Sequence, residues 1–253
     1  MAPAATADRN WNDTRKDWRT AFAAIRKLFA DPTDTPQVFR VMQALNQGTS
    51  ARNYRRLLET PEGARVAYRR VELVQKLSDP QWLSQFAPGT VGAAYRAFLN
   101  RTGFSADGLA DVSKQISPRE EEHPHAWLSR RERDIHDILH TLTGYRADDP
   151  LGELCLVAYT YAQNTGLGWA FIAAMGTLRS LMETNGRYVR RAVIEGYRHG
   201  KQAAWIHNED IEKLFAEPLD AARARMKIAQ PVAYEAAQAK VSTSPSSWFA
   251  TAG

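Results

Sequence analysis

The feature that most constrains the fold of this chain is a pair of histidines followed by a glutamate, in the stretch RDIHDILHTLTGYRADDPLGELCL. His136 and His140 are four residues apart, so on an α-helix they project from one face and can bind a single divalent ion. Asp137 lies three residues before His140 and can approach the ion from the edge of that face. A continuous helix would carry Glu153 roughly 20 Å beyond His140, too far to share the ion.

The residues between His140 and Glu153 predict a reversal of the chain. Gly144 is typical of the position just after a helix C-terminus. Asp149-Pro150 is typical of an N-cap followed by proline at the first helical position, which places Glu153 in the first turn of the next helix. The sequence therefore predicts a helix hairpin with a two-histidine, two-carboxylate site at its open end. In the alternative interpretation, the histidines cap nearby carbonyl groups and the aspartate between them is solvated.

Apolar residues recur at helical spacing along nearly the whole chain, whereas strand-like alternation and hairpin turns between strands are scarce. We therefore predict an all-α fold: a single multi-helix domain over residues 13–230, after a disordered N-terminus (1–12) and before a C-terminal helix end and flexible tail (231–253). Two helices are marked by Trp18, Phe22, Ile25 and Phe29, and by Val38, Val41, Met42 and Leu45.

Composition narrows the class of partner. The chain has 253 residues, 44% of them hydrophobic, and a net charge of +5. Its cations are spread over separate predicted helices, which argues against nucleic acid and favours an anionic membrane surface. The single cysteine, Cys155, excludes an internal disulfide and suits a core position in a reducing compartment. Because the N-terminus resembles neither a signal nor a transit peptide, we expect a cytoplasmic protein, peripheral on the inner face of the cell membrane.

About 25 residues from Leu154 to Leu178 carry no charge, which is long enough to span a bilayer. The turn-forming residues 163–166 interrupt this segment. Two shorter buried helices therefore fit better than one membrane span.

The motif around the histidines resembles the signature of a ubiquinone (coenzyme Q) biosynthesis family, the fourth of the numbered coenzyme Q assembly proteins. The similarity spans roughly residues 89–228 and includes the segments Gly89–Phe104 and Glu209–Ile228. Asp148 and Asp149 are alternative carboxylate ligands to the glutamate of the motif. The motif residues are Arg131, Arg133, His136, Asp137, His140, Gly144, Leu151, Gly152 and Glu153.

The resemblance implies a metal-dependent enzyme acting on a polyprenylated ring derived from 4-hydroxybenzoate. The reaction would be an oxidative decarboxylation, in which a hydroxyl replaces the C1 carboxyl group. Imidazole and carboxylate ligands without thiolate suit Zn²⁺, and also Fe²⁺ or Mn²⁺. Arg131 and Arg133 are candidates to bind the substrate carboxylate. The family also implies other quinone-biosynthesis proteins as partners, and a homodimer.

Five residues are candidates to line an apolar groove for the prenylated substrate beginning at the hairpin: Leu156, Tyr159, Trp169, Phe171 and Met175. In one alternative, the protein is a non-catalytic lipid-binding scaffold that organises quinone-biosynthesis enzymes, and the metal is structural. In another, it is a metal phosphohydrolase, for which His199 and His207 are the spare ligands. The segment 118–124 is predicted to be a loop or lid, and His123 and His125 are candidate transient ligands there.

Overall fold

A computed structural model describes residues 14–31, 34–116 and 122–241. Within these ranges the regular elements are helices, with one isolated β-bridge between Thr90 and Pro218, so the all-α prediction is confirmed. No described helix combines the length and the apolar character that a bilayer crossing requires. Residues 1–12, most of the predicted tail and most of the predicted loop over 118–124 lie outside the described residues.

Fifteen α-helices are assigned within the described residues, and short 3₁₀ segments follow α11 and α12 at Ser180–Met182 and Ile206–Asn208. The α-helices are α1 (Trp18–Ala30), α2 (Thr35–Leu45), α3 (Thr49–Leu58), α4 (Pro61–Arg69), α5 (Leu73–Leu77), α6 (Pro80–Ser84), α7 (Val91–Thr102), α8 (Ala106–Ile116), α9 (Pro124–Thr143), α10 (Pro150–Asn164), α11 (Leu167–Arg179), α12 (Gly186–Gln202), α13 (Ile211–Ala216), α14 (Leu219–Arg225) and α15 (Val232–Val241).

The apolar run from Leu154 to Leu178 forms two helices, as its central turn formers predict. α10 ends at Asn164, where Thr165 adopts a left-handed conformation with φ of 53°. α11 begins at Leu167, after Thr165 and Gly166. The two helices pack against each other.

Helix α10 lies at the centre of the main hydrophobic core and packs against α11, α12 and α15. Two glycines of α12 allow this close approach. A Cβ atom at Gly196 would lie 2.6 Å from the carbonyl oxygen of Cys155, and one at Gly200 would lie 2.4 Å from that of Tyr159. Cys155 is fully buried, and burial raises the pKa of its thiol well above the usual value, as expected of a core residue rather than a nucleophile.

Candidate metal centre

The predicted hairpin is formed by α9 and α10. Gly144 ends α9 in the left-handed region with φ of 80°, and its N–H donates to the carbonyl of His140. Asp149 caps α10, and its carboxylate accepts hydrogen bonds from the backbone N–H groups of Leu151 and Gly152. Glu153 therefore lies in the first turn of α10, facing the histidines of α9.

The hairpin brings three side chains together at its open end. His136 Nε2 lies 3.3 Å from one oxygen of Glu153, and His140 Nε2 lies 3.2 Å from the other. The two imidazole Nε2 atoms are 3.2 Å apart. Asp137 is buried beside them, with one ligand atom of each of His136, Asp137 and His140 within 4.8 Å of the others.

The protonation of His140 is fixed by the hairpin turn. Its Nδ1 lies 2.7 Å from the carbonyl oxygen of Tyr145, and a carbonyl can only accept, so Nδ1 carries the proton. In the neutral ring, Nε2 then presents its lone pair toward His136 and Glu153. A ligating histidine commonly donates its other N–H in this way, which fixes the ring orientation and increases its basicity as a ligand. The ring of Phe98 lies nearly parallel to that of His140, with centroids 6.1 Å apart.

The donor set fits a divalent ion. Ligand atoms about 2.0–2.1 Å from a tetrahedral zinc ion are about 3.3–3.4 Å from one another. The three Nε2 and carboxylate distances of 3.2–3.3 Å are close to that spacing. The His140 side chain is fully buried, whereas that of Glu153 is 39% exposed. The cluster is therefore accessible to solvent from the side of Glu153.

Electrostatics couple the histidines to the carboxylates. Burial opposes the charged form of His136, but Glu153, with help from Asp137, raises the pKa of this imidazole above its usual value. Burial also disfavours a charged Glu153, yet the imidazoles of His140 and His136 hold its pKa well below the usual range. For Asp137, burial dominates and raises the pKa. Without an ion, the raised pKa of His136 and the lowered pKa of Glu153 favour a charged pair.

The alternative acids are engaged elsewhere. Asp148 forms two hydrogen bonds with the guanidinium of Arg146. Besides capping α10, Asp149 accepts hydrogen bonds from Tyr234 Oη at 2.7 Å and Gln238 Nε2 at 2.6 Å. Glu153 is therefore the acid of α10 that contacts the imidazoles.

The two candidate arginines are bound to protein groups in this structure. Arg131 is buried and donates to the backbone carbonyl of Glu209 at 2.6 Å, and burial lowers its pKa to about 10 against the opposing effect of nearby carboxylates. Two nitrogens of Arg133 lie 2.7 and 2.8 Å from a single oxygen of Asp134. A role in binding a substrate carboxylate remains a prediction, and it would require one of these contacts to break.

The five candidate groove residues do not share one surface. Leu156 and Tyr159 are fully buried in the core. Trp169 lines a small cavity beside His136. Phe171 packs against exposed aromatic rings of α1, with its ring centroid 5.0 Å from that of Phe22. Met175 packs at the edge of the core. The apolar groove therefore remains a prediction.

The other candidate histidines lie away from the cluster. His123 is the N-cap of α9 and accepts a hydrogen bond from the backbone of His125 through its Nδ1. His125 precedes His136 by eleven positions, about 16 Å along the helix. His199 contacts the hydroxyl of Tyr145, and His207 is buried near Asn164. Among the described residues, these four do not join the His136, Asp137 and His140 group.

Two further groups at the site do not follow from the metal motif. One is the backbone carbonyl of Tyr145, which no side-chain pattern signals. The other is Glu132, whose carboxylate accepts hydrogen bonds from Asn164 Nδ2 at 2.6 Å and Trp169 Nε1 at 3.2 Å. Glu132 precedes His136 by four residues and lines the same cavity. The four-residue spacing of Glu132, His136 and His140 could have identified it.

Comparison with known proteins gives one consistent family. Residues 13–232 match the model for the coenzyme Q (ubiquinone) biosynthesis protein Coq4. The mitochondrial ubiquinone biosynthesis protein COQ4 homolog of Danio rerio is 29% identical over 76% of this chain and 68% of its own length. The mitochondrial ubiquinone biosynthesis protein coq4 of Pyrenophora tritici-repentis is 31% identical over 70% of this chain and 58% of its own length.

A solved structure shares the fold. A Nostoc punctiforme protein, provisionally described as a ubiquinone biosynthesis protein, superposes with a TM-score of 0.58 and 20% identity, over 85% of this chain and all of its own. The chain spans about 58–68% of the length of the two curated relatives above. Because the family model matches nearly the whole chain, including the α9–α10 hairpin, this protein belongs to the Coq4 family of coenzyme Q (ubiquinone) biosynthesis proteins.

Proposed function

We propose that this protein acts in coenzyme Q biosynthesis as a metal-dependent enzyme for the oxidative decarboxylation of a polyprenylated ring derived from 4-hydroxybenzoate. The observation that carries this proposal is the convergence of His136, His140 and Glu153 at mutual distances of 3.2–3.3 Å. Zn²⁺, Fe²⁺ and Mn²⁺ are all compatible with two imidazoles and a carboxylate. If the buried carboxylate of Asp137 also binds, the site is neutral overall with a divalent ion.

The reaction is a two-electron oxidation of the C1 carbon. The bond from the ring to the carboxyl group breaks, CO₂ leaves and a hydroxyl forms on the same carbon. With dioxygen as the oxidant and water as the oxygen source, the products are the phenol, CO₂ and hydrogen peroxide. A bound divalent ion would supply Lewis-acid polarisation and orient the substrate's carboxylate or phenolate.

The residues of the chain have separate roles in this scheme. His140 is held by the Tyr145 carbonyl with its Nε2 lone pair available. Glu153, on the exposed side, is the ligand best placed to shift as substrate enters, because 39% of its side chain is accessible. Asp137 is held inside, where burial limits water. Arg133 would bind the substrate carboxylate only after leaving Asp134.

A non-catalytic scaffold is the second candidate, and the small size of the cavity beside His136 favours it. That cavity has a volume of about 10 Å³, which does not accommodate an aromatic ring. In this alternative the metal is structural. A structural site normally has four protein ligands, whereas a catalytic site retains a position for water or substrate. The number of protein ligands around the bound ion therefore distinguishes the two.

A cationic stripe on α12 supports the membrane part of the proposal. Exposed residues recur there every three or four positions, and all but one of the following five are basic: Arg187, Arg191, Ile194, Arg198 and Lys201. Such a face complements anionic phospholipid headgroups. We propose that the protein binds the inner face of the cell membrane through it, and that Arg191→Glu with Arg198→Glu abolishes co-sedimentation with anionic vesicles. Unchanged sedimentation of that variant would contradict this interface. The homodimer remains a prediction.

The test of activity uses purified metal-loaded protein, the carboxylated prenyl-phenol and dioxygen, with mass spectrometry of the product. We expect a product in which a hydroxyl has replaced the carboxyl group. His140→Ala should give none, whereas His125→Ala, on the same helix, should retain activity. An unchanged substrate with a fully occupied metal site would reject catalysis and favour the scaffold.

A further inference from the structure

A small cavity with both polar and apolar residues in its wall lies against His136, between α9, α10, α11 and the 3₁₀ segment at Ile206–Asn208. Its volume is about 10 Å³, which is room for about one water-sized group. Six polar side chains contribute to its wall: Glu132, His136, Thr160, Gln163, Asn164 and His207.

The hydrogen bonds around the cavity fix the direction of each amide and ring. The indole N–H of Trp205 donates to Asn164 Oδ1 at 2.8 Å, so Asn164 Nδ2 is the amino group. That nitrogen donates to Glu132 at 2.6 Å and lies 3.5 Å from His207 Nε2. His207 Nε2 is therefore an acceptor, and the proton of a neutral His207 ring lies on Nδ1.

The His207 ring is neutral because it is buried. Burial lowers its pKa to about 3, and the nearby guanidinium groups of Arg131 and Arg56 add to the effect. Its Nδ1–H is a donor for which no partner is found within the described part of the chain. His207 itself is 3% exposed.

Gln163 and Thr160 also line the cavity, and each has a polar side-chain atom without a partner among the described residues. Gln163 Nε2 donates to the carbonyl groups of Gly200 and Ala203, at 2.7 and 3.2 Å, so Gln163 Oε1 is an acceptor. Neither Gln163 Oε1 nor Thr160 Oγ1 has a hydrogen-bond partner among the described residues, and both residues are 4% exposed. Three residues that line one small cavity thus carry an unpaired donor, an unpaired acceptor and an unpaired hydroxyl.

We propose that this cavity is a subsite for one neutral hydroxyl group, which accepts from His207 Nδ1–H and from the hydroxyl of Thr160 and donates to Gln163 Oε1. In the free protein the hydroxyl belongs to a bound water. With substrate present it is a phenolic hydroxyl of the ring, an occupant that rests on the proposed function. The carboxylate of Glu132 in the wall disfavours an anion. Of the three described side chains that could together hold a cation, His136, Asp137 and His140, only His136 lines this cavity.

The water is tested in the free protein, so this test is independent of the proposed activity. A crystal structure should show density 2.6–3.2 Å from at least two of the three unpaired atoms. Thr160→Val should lower Tm by about 2–4 °C, because it removes a partner of the water. An empty cavity, or an unchanged or raised Tm, would overturn the subsite, because replacing an unpaired buried hydroxyl by a methyl group is not destabilising.

The phenolic hydroxyl is tested with 4-hydroxybenzoate and benzoate as probes of the zinc-loaded protein. We expect 4-hydroxybenzoate to bind about tenfold more tightly than benzoate to the wild type, and the ratio to fall toward one in Thr160→Val. Equal affinities in the wild type would reject the phenolic occupant and leave water as the occupant. If neither probe binds, the proposed function fails. The density and the Tm results still show whether a water occupies the cavity.

Discussion

The two ends of helix α9 each carry a pair of histidines, and only one pair forms a candidate metal centre. His123 and His125, at the N-terminus, contact each other, and His123 caps the helix. His136 and His140, near the C-terminus, are four residues apart and meet a carboxylate from α10. This difference shows that residues able to bind a metal form a site when the adjoining turn brings a carboxylate close to them and orients an imidazole ring.

The largest difference between the two ends is expected in metal binding. His140→Ala removes a buried ligand. Loss of a group that only hydrogen-bonds to a ligand lowers metal affinity by up to about 100-fold, so loss of the ligand itself should lower the affinity for Zn²⁺ by more than that. His125→Ala should leave affinity unchanged. Titration of both variants with zinc, using a competing chelator, measures this. Equal losses in the two variants would mean that binding does not depend on the hairpin.

A substitution at Asp149 tests how strongly the hydrogen bonds of its carboxylate stabilise the turn between α9 and α10. Its buried carboxylate accepts four hydrogen bonds, two from the start of α10 and two from α15. Asp149→Ala should lower the free energy of unfolding by about 2–4 kcal/mol. The control is Asp79→Ala at the exposed N-cap of α6, for which about 0.5–1 kcal/mol is expected. Urea denaturation of both variants measures these losses of unfolding free energy. Similar losses would show that the contacts to α15 contribute little.

Gly144 tests the link between the turn and the ring of His140. Gly144→Ala places a side chain at φ of 80°, which costs about 1–2 kcal/mol of stability. It should also weaken zinc binding by about 10–100-fold, because the Tyr145 carbonyl that orients His140 lies in the same turn. Gly103→Ala, at φ of 69° with open space around it, is the matched control. It should lose similar stability and retain zinc affinity, and weakened binding in this control would contradict the link.

The smallest expected effect is a pH dependence of the metal-free protein. The raised pKa of His136 stabilises the fold below the usual histidine pKa, and this contribution is lost as pH rises through the raised value. The lowered pKa of Glu153 stabilises the fold above the usual glutamate pKa and is lost as pH falls. The stability difference between wild type and His136→Ala should therefore be larger near pH 5.5 than near pH 8. A difference independent of pH would contradict the charged pair.

Local signals were sufficient to predict the hairpin. Gly144, Asp149 and Pro150 act through backbone conformation and caps, which depend on a few neighbouring residues, and each lies where those signals placed it. The division of the apolar run into α10 and α11 followed in the same way from turn formers.

The surroundings of the site depend on contacts distant in sequence and were not predictable. Leu156 and Tyr159 are buried in the core around α10, where Gly196 and Gly200 of α12 approach the α10 backbone closely. The pairing of Arg133 with Asp134 depends on a rotamer, which apolar periodicity does not report. The network of Asn164, Trp205 and Glu132 joins three separate helical segments and their connections.

The position of a bound ion, measured by anomalous diffraction from crystals grown with Zn²⁺, tests the metal centre most directly. We expect one zinc ion about 2.0–2.2 Å from Nε2 of His136, Nε2 of His140 and a carboxylate oxygen of Glu153. An ion bound elsewhere, or an occupied site from which Glu153 points away into solvent, would contradict this expectation.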